Sequence, residues 1–295
     1  MMKSPNPLIK AYNDIKNIYE AESMVPGNVE KIIFSSKWSG VFAEKNQAGM
    51  AFNFMGDHSV YGPVKDITLI EGLKQFVGKN LCSLIEYLLP LDEDIHMRSV
   101  CLAALNAFSR PLILKGYSKF NSTVEFDNSN ELDFVLPEDI VVIVGYGGLI
   151  KNTYNRCKEL HIMDMRPAYM FAPMCISKDI SYGNKRIFIH PAEENEEILS
   201  KADVVLMTGS TLVNGTFLDL IKYSKKAKVI GMYGPSAQLF PDVLLESGID
   251  YITSNVIERP DILELILMDN FSTKDMFNEC ISRYTVKTQR KYVVV

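Results

Sequence analysis

From Ile140 onward, continuous apolar runs alternate with amphipathic stretches, and this alternation restricts the available folds more than any other feature of the chain. Strands are predicted at residues 140–144, 161–165, 186–190, 204–207, 228–233 and 251–254, with helices at 193–200, 217–224, 238–246 and 257–268. A further helix is expected after Gly148, running to about Lys158, and residues 167–185 read as a long loop. Strands that are apolar along their whole length are buried on both faces, which is the signature of a parallel sheet covered by helices. In the common doubly wound order, the first and fourth strands are neighbours. Ligands then bind in the crevice beyond their carboxyl ends.

The turns that leave those strand ends carry the chemistry. Thr208, Gly209, Ser210, Thr211, Asn214, Gly215 and Thr216 lie between the apolar run Val204-Val205-Leu206-Met207 and the helical pattern that starts at Phe217. A strand-to-helix turn exposes backbone N–H groups able to hold an anion or polar ligand. Thr216 with Asp219 also fits a short capping box, so part of this polarity only starts the helix. The neighbouring strand ends add Gly145-Tyr146-Gly147-Gly148 and Gly234-Pro235-Ser236. Gly145-x-Gly147 lacks the third glycine of a dinucleotide fingerprint, because Ile150 stands there. Asp164 does fall where an acidic residue would hold a ribose hydroxyl. Arg166 could pair with a phosphate or with Asp164 itself, so both NAD or S-adenosylmethionine binding and a plain tight turn stay open.

Before the alternating half, the order is helix, strands, then helices, as in an α+β unit. Asn6-Pro7 can cap a first helix. Short β-prone runs follow at 31–35, 38–44 and 48–54, the last two forming a hairpin around Asn46-Gln47. Helical patterns resume at 81–89 and 93–108. The polar, acidic stretch near 120–138 reads as a connection. The expected division is residues 1–120, a linker at 121–138, and residues 139–295, consistent with a 295-residue chain holding two domains.

A net charge of −5 argues against a nucleic-acid partner, which usually requires a basic field. No run is long enough to span a bilayer, and the first residues lack the apolar core of a signal peptide, so a cytoplasmic location is expected. The five cysteines form no CxxC pair and read as reduced, mostly buried thiols. The four histidines are equally scattered, so spacing offers no metal site. His190, at a strand end near the crevice, is a weak candidate for a general base, against a structural role.

Thr208-Gly-Ser-Thr-Leu-Val-Asn-Gly-Thr216, followed by Gly231-Met-Tyr-Gly-Pro-Ser-Ala237, resembles the bacterial and archaeal family labelled "putative heavy-metal chelation". The similarity continues in Ala202-Asp203-Val204, Leu239-Phe240-Pro241 and Ser247-Gly248-Ile249-Asp250, and in Ala103-Ala104-Leu105-Asn106-Ala107 of the first half. Tyr146-Gly147-Gly148 departs from the family's Phe-Pro-type sequence at that corner. The resemblance implies an enolase-N-terminal-like α+β domain followed by a Rossmann-like doubly wound α/β domain, with a site between them. By motif position it makes Asn106, Thr208, Ser210, Thr211, Asn214 and Ser236 ligand contacts, although Asn106 reads equally well as a structural bond.

Three functions are expected in turn. The first is a small-molecule binding protein whose anionic or metal-chelating ligand lies between the halves, in heavy-metal or metallophore handling. The second is an enzyme with a nucleotide-type cofactor. The third is a non-catalytic assembly module. A homo-oligomer stays open.

Overall fold

The computed structural model describes residues 6–55, 60–62, 67–120, 122–126, 132–167, 186–269 and 279–288. The loop expected at 167–185 lies outside them apart from Pro167, as do His58 and Cys175.

Helix α1 (Pro7–Ala21) starts as its sequence requires. The Asn6 side chain accepts from the Leu8 N–H at 3.0 Å, and Pro7 occupies the first turn, where no N–H is needed. Strands β1 (Val29–Phe34), β2 (Trp38–Ala43) and β3 (Gln47–Phe52) form an antiparallel meander. The β2–β3 turn is centred on Lys45-Asn46, one residue earlier than expected. Both have positive φ, the conformation of a tight primed hairpin. Helices α2 (Ile67–Gly72), α3 (Leu81–Leu88) and α4 (Ile95–Leu114) follow.

Helix α4 is the axis of the molecule. Asp94 caps it through the His96 and Met97 N–H groups, and its residues from Met97 to Phe108 are buried on nearly every side, Arg98 excepted. A helix apolar all round is one enclosed by protein on all sides. It runs through Pro111 to Leu114, beyond the expected end at 108. On one side it lies directly on β3, where a Cβ on Gly49 would stand 2.2 Å from the Ala107 nitrogen. The Asn106 side chain donates to the Met50 carbonyl at 2.8 Å in that contact.

The remaining strands make an eight-stranded sheet in the order β4-β11-β10-β9-β8-β5-β6-β7. The parallel part comprises β5 (Ile140–Val144), β6 (Glu159–Asp164), β7 (Arg186–Pro191), β8 (Val204–Thr208), β9 (Val229–Tyr233) and β10 (Tyr251–Ile257). Its order is the doubly wound one, and the first and fourth strands pair with Val144 opposite Met207. The molecule is therefore mixed α/β, with a large, mostly parallel sheet and a small antiparallel one.

Two strands extend the sheet beyond the expected six. β11 (Ile281–Thr288) pairs antiparallel with β10, and β4 (Ser122–Glu125), from the polar connecting stretch, pairs antiparallel with β11. The helix after β5 shrinks to one turn, α5 (Ile150–Thr153), instead of running to Lys158. The Thr153 hydroxyl bonds back to the Leu149 carbonyl at 2.7 Å, a local bond that disfavours helix continuation. Helices α6 (Asn195–Leu199), α7 (Phe217–Tyr223), α8 (Pro241–Glu246) and α9 (Pro260–Asp269) complete the alternation.

The two sheets share one core. Leu105 and Phe108 of α4 belong to the same buried cluster as Met207, Leu239 and Phe240. Polar pins fasten this contact. Arg98 Nε donates to the Leu212 carbonyl at 2.8 Å, Arg110 Nε to Ile257 at 2.7 Å, and the Phe240 N–H to Ser109 Oγ at 2.9 Å. Buried backbone groups left unpaired would be costly, so these pins set the register between the halves.

Candidate functional site

At the carboxyl ends of β5, β6, β8 and β9 a cleft of about 780 Å³ opens, walled on its other side by residues of β2 and β3. Its size falls within the range of small-molecule sites, and its position is the crevice expected of a doubly wound sheet. The three turns singled out in the sequence all reach it. Gly145 and Gly147 come from the first, Thr208, Ser210, Thr211, Asn214 and Thr216 from the second, and Gly234, Pro235 and Ser236 from the third. Asp164 lines it as well. Asn106, Gly209, Gly215 and His190 do not.

The turn after β8 makes a local hydroxyl network. Thr208 Oγ1 accepts from the Ser210 N–H at 3.4 Å and from the Ser210 hydroxyl at 3.2 Å, while Thr211 Oγ1 donates to the Thr208 carbonyl at 2.8 Å. Thr216 does not cap the next helix. Its N–H and hydroxyl both donate to Asn214 Oδ1, at 3.2 and 2.8 Å, so the capping-box expectation fails because the carboxamide makes the turn. Gly209 serves packing. An added Cβ would meet the Ala237 nitrogen at 2.4 Å, so only glycine lets this turn lie against the one after β9. Ser236 Oγ accepts from the Phe52 N–H at 2.9 Å, tying that third turn to β3.

The turn after β5 is occupied by its own chain. Gly145 has φ +90°, and the Tyr233 hydroxyl donates to its carbonyl at 2.7 Å. The ring of Tyr233 would stand 3.1 Å from a Cβ on Gly147. Asp164 receives the Tyr146 N–H, the Arg166 N–H and two guanidinium N–H groups of Arg166, all at 2.9 Å. A carboxylate has about four acceptor sites, so Asp164 has none left for a ribose. Burial opposes its ionisation, but these bonds outweigh that and hold its carboxyl below the ordinary range. The hydrogen bond to Asp164 in turn holds the Arg166 guanidinium in its charged form.

Residues the sequence reading passed over complete the cleft: Lys37, Trp38, Phe52, Phe54, Asn195 and Arg283. The aromatic ones read as ordinary strand core. Arg283 sits on β11, where the alternation Arg283-Tyr-Thr-Val-Lys287 was the available signal. Among the described residues, the charged lining is Lys37, Arg166, Arg283 and Asp164.

His190 is engaged elsewhere. Its Nε2 lies 2.9 Å from His161 Nδ1, and its Nδ1 lies 2.7 Å from Glu194. Burial, and then the neighbouring His190, push His161 below the ordinary histidine range. No group of three or more His, Cys, Asp or Glu among the described residues is placed to hold a metal ion. Burial also keeps the described thiols protonated, raising Cys101 to about 12 and Cys157 and Cys280 to about 11. No described helix is long and apolar enough to cross a membrane.

Comparison with known proteins agrees with this architecture. An uncharacterised protein of Methanocaldococcus jannaschii is 22% identical over 265 residues, covering 87% of this chain and 88% of the relative. A crystal structure of a protein of unknown function from Pyrococcus horikoshii superposes with a TM-score of 0.68 at 16% identity, over 96% of this chain and 100% of that one. Another, from Desulfitobacterium hafniense, gives 0.66 at 19% identity, over 94% and 99%. These similarities establish the shared fold. Residues 130–286 match the family described as "Putative heavy-metal chelation" (DUF364), and residues 19–109 match a second family of the same description. The chain belongs to the DUF364 family.

Proposed function

We propose that the protein binds a small anionic ligand in this cleft, and that a metal reaches it as cargo in the form of an anionic chelate. The charged lining carries the reading: among the described residues it holds three cationic side chains and one carboxylate, in a protein whose net charge is −5. That carboxylate is already neutralised by Arg166. A cleft of this sign with low-dielectric walls concentrates anions. A naked divalent or soft cation fits the described residues poorly, because they offer no cluster of ligating side chains and their thiols are held protonated. A chelate with peripheral carboxylate or phenolate oxygens needs only hydrogen-bond donors and positive charge. The turns after β8 and β9 add hydroxyls, and Lys37 and Arg283 add charge.

A nucleotide-type cofactor is less well supported. The glycine turn is covered by Tyr233, Asp164 is saturated, and the helix that would face a pyrophosphate is a single turn.

Calorimetric titration of the full chain with citrate, with zinc citrate and with Zn²⁺ alone tests the proposal. Both anions should bind, more weakly as salt is raised, and Lys37→Ala should weaken both. Tight binding of Zn²⁺ alone, with neither anion detected, would overturn it.

A further inference from the structure

The cleft has a second wall of different chemistry. Strands β2 and β3 and the residues after them bring half-buried rings to it, Trp38, Phe52 and Phe54. These rings form an edge-to-face ladder. Trp38 and Phe52 have centroids 5.5 Å apart at 82°, Phe52 and Phe54 4.9 Å apart at 76°, and Phe54 meets Tyr61 at 5.0 Å and 77°. T-shaped geometry is one of the favoured contacts of aromatic quadrupoles, and these rings hold one another while remaining half-buried.

Phe54 stands out for its backbone. Its φ is +56°, in the left-handed region that a bulky L-residue occupies only when its surroundings hold it there. Those surroundings are visible. The buried Asn53 is bonded through its N–H to the Lys37 carbonyl at 3.0 Å and through Nδ2 to the Ser35 carbonyl at 2.7 Å. Its carbonyl lies 3.1 Å from His96 Nδ1, and its Oδ1 receives the Met55 N–H at 3.0 Å, so an Asx turn spans Phe54. Glycine would take this conformation without strain. A ring at such a position, half-buried beside the cleft, is what strain retained for contact with a ligand looks like.

We infer that the ligand is a small anion carrying a flat aromatic ring, its charge met by the cationic lining and its ring by Phe54 on the aromatic ladder. This rests on the anion-binding reading above and narrows it. An amphiphilic ligand matches a site whose large-sheet side offers hydroxyls with Arg166 and Arg283, and whose β2–β3 side offers Lys37 next to the rings of Trp38, Phe52 and Phe54.

Two dicarboxylates that differ only in the ring separate the possibilities, phthalate and maleate, titrated into the full-length protein. Phthalate should bind roughly five- to tenfold tighter, the size of one good aromatic contact. Phe54→Gly should bring phthalate to the affinity of maleate and leave maleate unchanged. Phe54→Leu keeps apolar bulk without the ring and should also erase the preference, which covers the case in which the glycine variant folds poorly. Equal affinity for the two anions in the unaltered protein would overturn the aromatic inference while the anion reading stood. A preference that survives both substitutions would remove Phe54 from it. Failure of both anions to bind would overturn the anion reading and this inference with it.

Discussion

The turns after β5 and β8 leave neighbouring parallel strands at the same rim of the sheet, yet they are built on opposite principles. The first is rich in glycine and turned inward. Its Gly145 carbonyl takes the Tyr233 hydroxyl, its Tyr146 N–H goes to Asp164, and a tyrosine ring covers Gly147. The second is rich in hydroxyls, bonded loosely to one another, with Ser210 and Asn214 half-buried on the cleft. Gly145 and Gly147 therefore mark where the Thr208 and Tyr233 side chains press on the first turn, whereas the second turn keeps hydroxyls at the cleft surface. The same glycine signal that suggests a phosphate loop arises here from packing.

The largest effect that bears on this contrast belongs to Gly209. A Cβ there would stand 2.4 Å from one backbone atom and 2.6 Å from another, neither able to swing aside. Gly209→Ala should cost about 3 kcal/mol by overpacking, seen as a lower urea midpoint at unchanged slope. Gly148→Ala is the control, because nothing lies within 4 Å of its added Cβ; it should change stability by less than about 0.5 kcal/mol. Equal costs would show that the turns after β8 and β9 do not press on each other as described.

Asp164 comes next. Asp164→Asn removes a charged acceptor of four hydrogen bonds and should cost about 2 kcal/mol near neutral pH. The sign of the pH effect follows from a folded-state pKa held below 3.8. The stabilisation is complete above that value and is withdrawn as pH falls through the lower, folded one. Thermal melts from pH 5 to 2 should show a steeper acid loss in the native protein than in the variant. Tyr233→Phe should cost less, about 1 kcal/mol, and leave citrate binding intact if the first turn holds no ligand.

How much of this was legible in the sequence depends on what each signal rests on. The central sheet was readable because strands buried on both faces are apolar throughout, and Val141, Val142, Ile143 and Val204 to Met207 are all fully buried. β4 and β11 were missed because neither is an apolar run: β4 is four residues in an acidic stretch, and in β11 polar and apolar residues alternate only from Arg283 to Lys287. Missing β11 concealed Arg283. The aromatic wall was invisible for another reason: Trp38, Phe52 and Phe54 have the composition of strand core, and only tertiary placement turns them toward a cleft. The sign of φ at Phe54 leaves no trace in sequence at all.

Ser210→Ala should have the smallest effect on stability and is the sharpest test of the contrast. The hydroxyl makes one long bond, 3.2 Å to Thr208 Oγ1, and is half-buried, so its loss should cost less than about 0.5 kcal/mol. Thr211→Ala, by comparison, removes a 2.8 Å bond to the Thr208 carbonyl from a buried side chain and should cost about 1 kcal/mol. If the second turn is a ligand turn, the order reverses for binding. Ser210→Ala then weakens citrate by about 1 kcal/mol, or several-fold, because a hydroxyl held by one 3.2 Å bond can turn from Thr208 to a ligand at little cost. Binding losses that simply follow the stability losses would mean that this turn, like its neighbour, serves only its own chain.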